Sequence, residues 1–148
     1  MSGLKILLDT TYLLPIVGIN VAGIKEALEA LSKLKEKRDA QFYYTPYNII
    51  ELLGKLSRTN YDEETVSRGL RIITSEFAAA QLTIKGYVKA LKLRKRGFRD
   101  LIDLLLYATA ATRGLKFLTR NKQLVQFLIS QGEPTDVILS EKELIWRL

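Results

Sequence analysis

The chain has 148 residues with a net charge of +7, and its 47% hydrophobic and 26% charged residues are typical of globular proteins. This length suits one domain over residues 1–148 with a core of its own, and the composition argues against intrinsic disorder. The absence of cysteine and histidine excludes disulfides, thiol nucleophiles, Ser-His-Asp triads and the usual zinc sites, so any hydrolytic chemistry must use carboxylates, hydroxyls, lysines or an oxygen-bound metal.

The first apolar stretch, residues 4–19, is interrupted by Asp9, Pro15 and Gly18 and has no charged leader. It fits neither a membrane span nor a signal peptide, and we expect an intracellular, cytoplasmic protein. Within this stretch, Leu4–Leu8 is a short apolar run that ends at Asp9. Such a run predicts a strand that is buried on both faces.

Four helices are predicted where a capping residue precedes a run suited to a helix. Their expected caps are, in chain order, Asn20, Thr45, Asp62 and Thr83. The aromatic segment Gln41–Thr45 separates the first two helices and has the composition of a strand. The fourth helix is expected from Ile84 to about Arg96 and is rich in lysine and arginine.

The C-terminal part continues this alternation of strands and helices. Residues 99–113 form a helical pattern that is apolar almost all round. Strand patterns at residues 115–119 and 136–139 flank a short helix at residues 121–130, and Ser140 opens a final helix with a capping box. This order predicts an α/β fold with a parallel sheet and helices on both faces.

Polar residues follow the predicted strands at one edge of this sheet, where ligands bind in such folds. Asp9 and Asn121 directly follow two strands, and Glu51 lies in the helix after another. Asp103 lies in an apolar helix, where an unpaired carboxylate is costly to bury, and Asp100 is on the same face. Oxygen ligands without histidine favour hard cations such as Mg²⁺ or Mn²⁺.

Each of these residues also has a structural interpretation that needs no ligand. A helix or turn cap would account for Asp9, Asp100 and Asn121. Ion pairs would account for the remaining acids, with Lys55 as the partner of Glu51 and Arg99 or a neighbouring lysine as the partner of Asp103.

The excess positive charge is concentrated in one segment. Residues 85–99 contain seven basic residues and no acid, and the remaining 16 basic residues equal the 16 acidic residues in number. The seven are Lys85, Lys89, Lys92, Arg94, Lys95, Arg96 and Arg99. Such a segment can bind a polyanion by counterion release, although a charge run can also be a solvated helix face. Beside the acids it indicates a phosphodiester substrate, whose cleavage a metal would assist.

Four segments together resemble the PIN domain family, and within it the small VapC-type toxin ribonucleases. They are Leu7–Leu14 (LLDTTYLL), Thr45–Leu53 (TPYNIIELL), Asp103–Ala110 (DLLLYATA) and Gly114–Asn121 (GLKFLTRN). The resemblance covers nearly the whole chain, and the third segment with the strand after it is its most specific part. It implies a three-layer α/β/α sandwich and an Mg²⁺- or Mn²⁺-dependent endoribonuclease.

The resemblance also implies roles for individual residues. The catalytic and metal-binding acids would be Asp9, Glu51 and Asp103, with Asp100 as a further acid found in some members. Thr10 and Thr119 match supporting hydroxyl positions. The fourth acidic position of many members falls on Asn121, whose amide oxygen can still bind a metal but brings no charge.

Family members are commonly homodimers, and the toxins are neutralised by a small antitoxin that inserts a segment near the acidic pocket. The leading hypothesis is therefore an RNA-cleaving toxin of a toxin–antitoxin pair. The alternative is a catalytically weak or inactive PIN fold that binds RNA or a protein, which Asn121 favours. A DNA or flap nuclease fits less well, because such enzymes usually carry more acids and larger insertions.

Overall fold

The computed structural model describes residues 3–147, and its centre is one parallel sheet. The strands are β1 (Leu4–Leu8), β2 (Ala40–Tyr44), β3 (Ala78–Ala79), β4 (Lys116–Leu118) and β5 (Ile138–Leu139). They lie in the order β3-β2-β1-β4-β5, and all neighbouring pairs are parallel. In this register Ile6 of β1 lies between Phe42 of β2 and Lys116 of β4.

Helices form the connections between the strands. Those of the described residues are α1 (Lys25–Glu36), α2 (Pro46–Leu56), α3 (Glu63–Glu76), α4 (Ile84–Lys95), α5 (Leu101–Arg113), α6 (Lys122–Ser130) and α7 (Glu141–Trp146). Two short 3-10 helices, Thr10–Tyr12 and Leu14–Val17, follow β1 directly. The left-handed Gly114, with φ of 69°, ends α5 as expected for a helix C-cap.

The side chains of the central strand alternate between two apolar layers. Ile6 and Leu8 belong to one layer, which also contains buried side chains of α1, α2, α3 and α7. Leu7 belongs to the other layer, with buried side chains of α4, α5 and α6. Because both faces of β1 are covered, its last three residues, Ile6, Leu7 and Leu8, are all apolar and buried. The predicted α/β fold, a three-layer α/β/α sandwich with a central parallel sheet, is confirmed.

Local sequence signals placed most helix starts correctly. Thr45 caps α2 and Pro46 is its first residue, as predicted. The expected cap at Asn20 is wrong, because α1 begins at Lys25 and its N-cap, Ile24, makes no side-chain capping bond. Strand β3 was not predicted, because two alanines carry no strand pattern and only their pairing with β2 defines them as a strand.

The carboxyl ends of the strands meet at one edge of the sheet. Asp9, Thr45, Thr119 and Ser140 are the residues that follow β1, β2, β4 and β5. Parallel α/β sheets bind their ligands at this edge, so it is the place to look for a functional site. In residues 3–147, no helix is both long enough and apolar enough to cross a membrane.

Candidate active site

Three carboxylates from α2 and the start of α5 lie together near this edge. Glu51 is on α2, Asp103 is in the first turn of α5, and Asp100 is the N-cap of α5. One carboxylate oxygen from each residue lies within 4.8 Å of the other two. Asp103 is buried, Glu51 is half-buried and Asp100 is exposed, so the cluster reaches from the interior to the surface.

Asp103 is the most perturbed acid of the cluster. Only 6% of its surface is exposed, and its Oδ2 accepts a hydrogen bond of 2.7 Å from Asn121 Nδ2. Burial raises the pKa of Asp103 to about 8, and the nearby charges of Asp9, Asp100 and Glu51 act in the same direction. Burial and the repulsion from the neighbouring carboxylates therefore raise the pKa of Asp103 more than the hydrogen bond from Asn121 lowers it. Such a shift is expected where acids lie close together without a cation.

Asp9 is a fourth acid next to this cluster, although its oxygens are not among the three that lie within 4.8 Å. Asp9 Oδ1 accepts from the Thr10 backbone N–H at 2.8 Å, and Oδ2 accepts from Thr119 Oγ1 at 2.6 Å. Burial raises the pKa of Asp9 to about 6, while the hydrogen bond from Thr119 acts against the shift. The two threonines thus hold the Asp9 carboxylate in one orientation.

Asn121 is both a helix cap and a residue of the acidic site, the two interpretations that the sequence left open. Its Oδ1 accepts from the Leu124 backbone N–H at 3.1 Å and so caps α6, while its Nδ2 donates to Asp103. The amide oxygen is therefore already engaged, and the side chain presents a donor to the acids. Asp100 is likewise a helix cap as well as a member of the cluster, because its Oδ1 accepts from the Asp103 backbone N–H at 3.2 Å.

Asn48 is a positioning residue that sequence reasoning missed. Its side chain is fully buried, and Nδ2 donates to the Leu8 carbonyl at 3.1 Å and to Thr10 Oγ1 at 3.0 Å. Its Oδ1 accepts from the Thr45 backbone N–H at 2.7 Å, which closes the capping box of α2. Asn48 thus ties the end of β1 to the start of α2. The sequence signal was the position three residues after Thr45, where a capping box places its second member.

The alternative ion pairs are not formed among residues 3–147. Within the described part of the chain, the salt bridges include neither Glu51 with Lys55 nor Asp103 with Arg99. A cavity of about 270 Å³ opens at the acids instead. It is lined by Gly97, Phe98, Arg99, Asp100, Asp103, Asn121 and Gln123. Arg99 is thus a basic residue that lines the same cavity as Asp100 and Asp103.

The basic residues of α4 and its C-cap fall into two groups, one that lines a groove and one that lies outside it. Four of them line one groove of about 500 Å³: Lys85, Lys89, Lys92 and Arg96. Lys89 Nζ forms a 2.5 Å ion pair with Glu133, an acid from the loop after α6 that also lines this groove. Arg94 and Lys95 are exposed near the end of α4 and lie outside the groove. We call Lys85, Lys89, Lys92 and Arg96 the basic stripe of α4; one of them, Lys89, is neutralised by Glu133.

The donor set fits a hard divalent cation. All side-chain ligands that Glu51, Asp100 and Asp103 can offer are carboxylate oxygens, which Mg²⁺ and Mn²⁺ prefer. A bound cation would also relieve the repulsion that raises the pKa of Asp103. These three residues are therefore candidates to hold a metal, and Asp9 is close enough to add its charge.

Comparison with known proteins agrees with this geometry. No curated protein has a sequence that matches the chain significantly. A solved structure of VapBC2 from Rickettsia felis, bound to a DNA fragment from its promoter, is 18% identical, with a TM-score of 0.64 over 93% of this chain and 98% of that chain. VapBC-1 from nontypeable Haemophilus influenzae is 16% identical, with a TM-score of 0.65 over 94% of this chain and 99% of that one.

A third structure, VapC20 from Mycobacterium tuberculosis, is described as a toxin that cleaves the sarcin–ricin loop. It is 12% identical, with a TM-score of 0.60 over 82% of this chain and 94% of that chain. At these identities the likeness concerns the fold. The family model of the PIN domain matches residues 6–127, a range that contains all four acids and Asn121. The chain therefore belongs to the PIN domain family, as the sequence motifs predicted.

Proposed function

We propose that the protein is a metal-dependent endoribonuclease of the cytoplasm and the toxin of a toxin–antitoxin pair. The observation that carries the proposal is the cluster of Glu51, Asp100 and Asp103, whose oxygens lie within 4.8 Å of one another. PIN domains are typically nucleases that use divalent metals, and the solved relatives include a toxin described as cleaving the sarcin–ricin loop.

Asp103, Glu51 and Asp100 would hold the cation, which is Mg²⁺ or Mn²⁺. When bound, the cation would activate a water and stabilise the leaving oxygen of the phosphodiester. Asp9 contributes negative charge from a carboxylate that Thr10 and Thr119 keep fixed. Asn121 fixes the Asp103 carboxylate through its 2.7 Å hydrogen bond, and Asn48 fixes the spacing between β1 and α2.

The charge distribution favours a nucleic acid, and we propose RNA because one solved relative is described as cleaving the sarcin–ricin loop. Arg99 lies at the cavity of the acids, and the basic stripe of α4 supplies further cations in the same segment of the chain. Phosphate contacts of this kind act on the backbone of the nucleic acid without regard to its sequence. The basic residues proposed for RNA binding are Lys85, Lys89, Lys92, Arg94, Lys95, Arg96 and Arg99.

The proposed partners are a small antitoxin and a second copy of the chain. Two of the solved relatives are VapBC assemblies, and a further one is described as a toxin–antitoxin complex from Klebsiella pneumoniae. For the homodimer, the supporting feature is an apolar surface shared by α2 and α4. Its exposed apolar residues are Ile50, Leu53, Ile84, Tyr87, Val88 and Leu91.

The two helices meet where the hydroxyls of Tyr47 and Tyr87 contact each other. Ile84, of which 84% is exposed, and the side chains one and two turns later form one continuous apolar strip on α4. A strip of this kind on a monomer marks a protein interface. The molar mass in solution tests the dimer, and a charged substitution such as Leu91→Glu is expected to produce monomers.

A second candidate function is a PIN fold that binds RNA or protein without cutting. The observation that favours it is Asn121, an uncharged residue with its oxygen engaged at the position where many family members have Asp. The two functions are separated by incubating labelled single-stranded RNA with the protein in Mn²⁺ and, in parallel, in chelator. Cleavage in Mn²⁺ supports the nuclease, whereas retention of intact RNA under both conditions supports the binding module.

A further inference from the structure

A second cavity adjoins the acidic site. It has a volume of about 700 Å³ and lies between α6 and α7, beyond the ends of β4 and β5. We call it the α6–α7 groove; its lining includes Thr119, Asn121, Lys122, Val125, Gln126, Thr135, Ile138 and Lys142. Asn121 also lines the cavity of the acids, so the two spaces share a wall. The volume of the α6–α7 groove is within the range of about 300–1,000 Å³ that is usual for small-ligand sites.

The lining of the α6–α7 groove combines three kinds of chemistry. Val125 and Ile138 provide apolar surface, while Gln126 and Thr135 can donate and accept hydrogen bonds. Among the hydrogen bonds of residues 3–147, neither of these two polar side chains has a partner, so both are available to a ligand. Charged groups are the third kind: Lys122, on the first turn of α6 beside Asn121, adds a positive charge at the end nearest the acids. The α7 side adds Lys142 and two acids, Glu143 and Glu141, of which Glu141 is paired with Arg120.

The wall of the groove formed by α7 is held in place by Arg120. Its guanidinium donates to both Glu141 carboxylate oxygens, at 2.6 and 3.1 Å, and to the backbone carbonyls of Ala22 and Gly23 at 3.0 and 2.9 Å. Tyr12 Oη donates to Glu141 Oε2 at 2.7 Å from the interior. These bonds fix the start of α7, so the groove is formed before any ligand binds, which lowers the cost of binding.

We propose that the α6–α7 groove holds the base of the nucleotide next to the scissile phosphate of an RNA strand. This inference rests on the proposed function and adds a specificity site to it. A base offers a flat face to Val125 and Ile138 and a hydrogen-bonding edge to Gln126 and Thr135. The phosphate beside it would meet Lys122. Proteins recognise single-stranded RNA in this way, by packing against splayed bases and bonding to their edges.

The test is cleavage, in Mn²⁺, of single-stranded RNAs that differ only in the base at each position beside one cleavage site. Wild type is expected to prefer one base at one flanking position by about tenfold, the effect of a hydrogen bond that the other bases cannot make. Gln126→Ala and Thr135→Val are expected to abolish most of that preference, and Val125→Phe to raise KM by filling the groove. Gln81→Ala, which changes an exposed glutamine outside the groove, is the matched control.

The outcomes separate the groove from the nuclease. If wild type cuts RNA without a base preference, or if the groove variants keep the preference of wild type, the groove assignment is wrong and the nuclease assignment stands. A second measurement does not need cleavage: Asp103→Asn protein is crosslinked to a set of single-stranded RNAs that carry one photoreactive thiouridine at each position in turn. Crosslinks within residues 122–143 support the groove even if wild type is inactive, and crosslinks confined to other segments overturn it.

Discussion

Asn121 Nδ2 donates a 2.7 Å hydrogen bond to Asp103 Oδ2, and the same side chain caps α6 through its Oδ1. The bond joins the first turn of α5 to the start of α6 across the candidate active site. It also supplies a donor to a carboxylate that lies among three other acids. Asn121 therefore holds Asp103 in place without adding to the negative charge of the site.

We expect the Tm of the Asn121→Asp variant to depend more strongly on Mn²⁺ than the Tm of wild type does. Without a cation and above about pH 8, where Asp103 is ionised, the new carboxylate loses the hydrogen bond to Asp103 and repels it, so Tm should fall. With Mn²⁺ the added charge should tighten binding, so the rise in Tm at saturating Mn²⁺ should exceed that of wild type. Thermal melts in chelator and in Mn²⁺ measure both effects. Equal Tm values for the two proteins in chelator would mean that Asn121 is only a helix cap, which Asp replaces well.

The pH dependence of stability is expected to follow Asp103. Burial raises the pKa of Asp103 to about 8 in the folded protein, against 3.8 for a free aspartate. Between these two pH values the native state keeps a proton that the unfolded chain has lost. Stability of the metal-free protein should therefore fall as the pH rises from about 5 to about 8, by at most about 1.4 kcal/mol per pH unit for one proton. Asp9, with a pKa of about 6, adds to the loss in the lower part of this window.

Urea unfolding in chelator at several pH values measures this slope. Asp103→Asn should flatten it, because asparagine does not titrate and its oxygen can still accept the bond from Asn121. Asp136→Asn, at an exposed acid, should keep the wild-type slope. A slope that Asp103→Asn leaves unchanged would show that another group is responsible.

Asn48→Ala should destabilise the protein and weaken the site together. It removes the α2 capping box and leaves the Leu8 carbonyl and Thr10 Oγ1 without the Asn48 donor, a loss of roughly 2–4 kcal/mol in the free energy of unfolding. The Kd for Mn²⁺, measured where the variant is fully folded, should rise because β1 and α2 are no longer tied. Asn60→Ala, at an exposed asparagine, should change neither quantity. An unaltered Kd in the folded variant would limit Asn48 to a role in stability.

Neutralising the unpaired cations of the basic stripe should weaken RNA binding independently of sequence. The variant combines Lys85→Gln, Lys92→Gln and Arg96→Gln in the inactive Asp103→Asn background and leaves Lys89, which pairs with Glu133, intact. The slope of log affinity against log salt should flatten by roughly 0.7 for each RNA phosphate that the variant no longer neutralises. A triple variant of Lys25, Lys33 and Lys37 on the opposite layer is the charge-matched control. If both triple variants bind alike, the stripe is a solvated helix face.

Much of the fold is predictable because its signals are local. The apolar run Leu4–Leu8 marks a strand that helices cover on both faces, and Thr45 with Pro46 marks the start of α2 through one capping bond. The two-residue strand β3 carries no such signal, since its conformation is defined by pairing with β2. Helix α1 begins only at Lys25, and its N-cap, Ile24, makes no side-chain capping bond. This start therefore carries no local sequence signal.

The sequence predicts which residues form the site but not how their side chains are arranged. Residue type and position indicated the acids, because Asp9 follows a strand, Glu51 and Asp103 interrupt apolar helices, and Asp100 lies one helical turn before Asp103. The arrangement depends on contacts between distant segments: Thr119 reaches Asp9 across 110 residues of sequence, and Asn48 reaches Leu8 across 40. For the same reason Glu133 could not be identified as the counterion of Lys89, which lies 44 residues earlier.

The most direct measurement of the central claim is the initial rate of cleavage of single-stranded RNA as a function of Mn²⁺ concentration. We expect wild type to show a rate that rises with Mn²⁺, saturates and vanishes in chelator. Asp103→Asn should be inactive at every concentration, while the exposed control Asp136→Asn should follow wild type. Cleavage by Asp103→Asn at the wild-type rate, or cleavage by wild type in chelator, would contradict the assignment of a metal-dependent nuclease to this site.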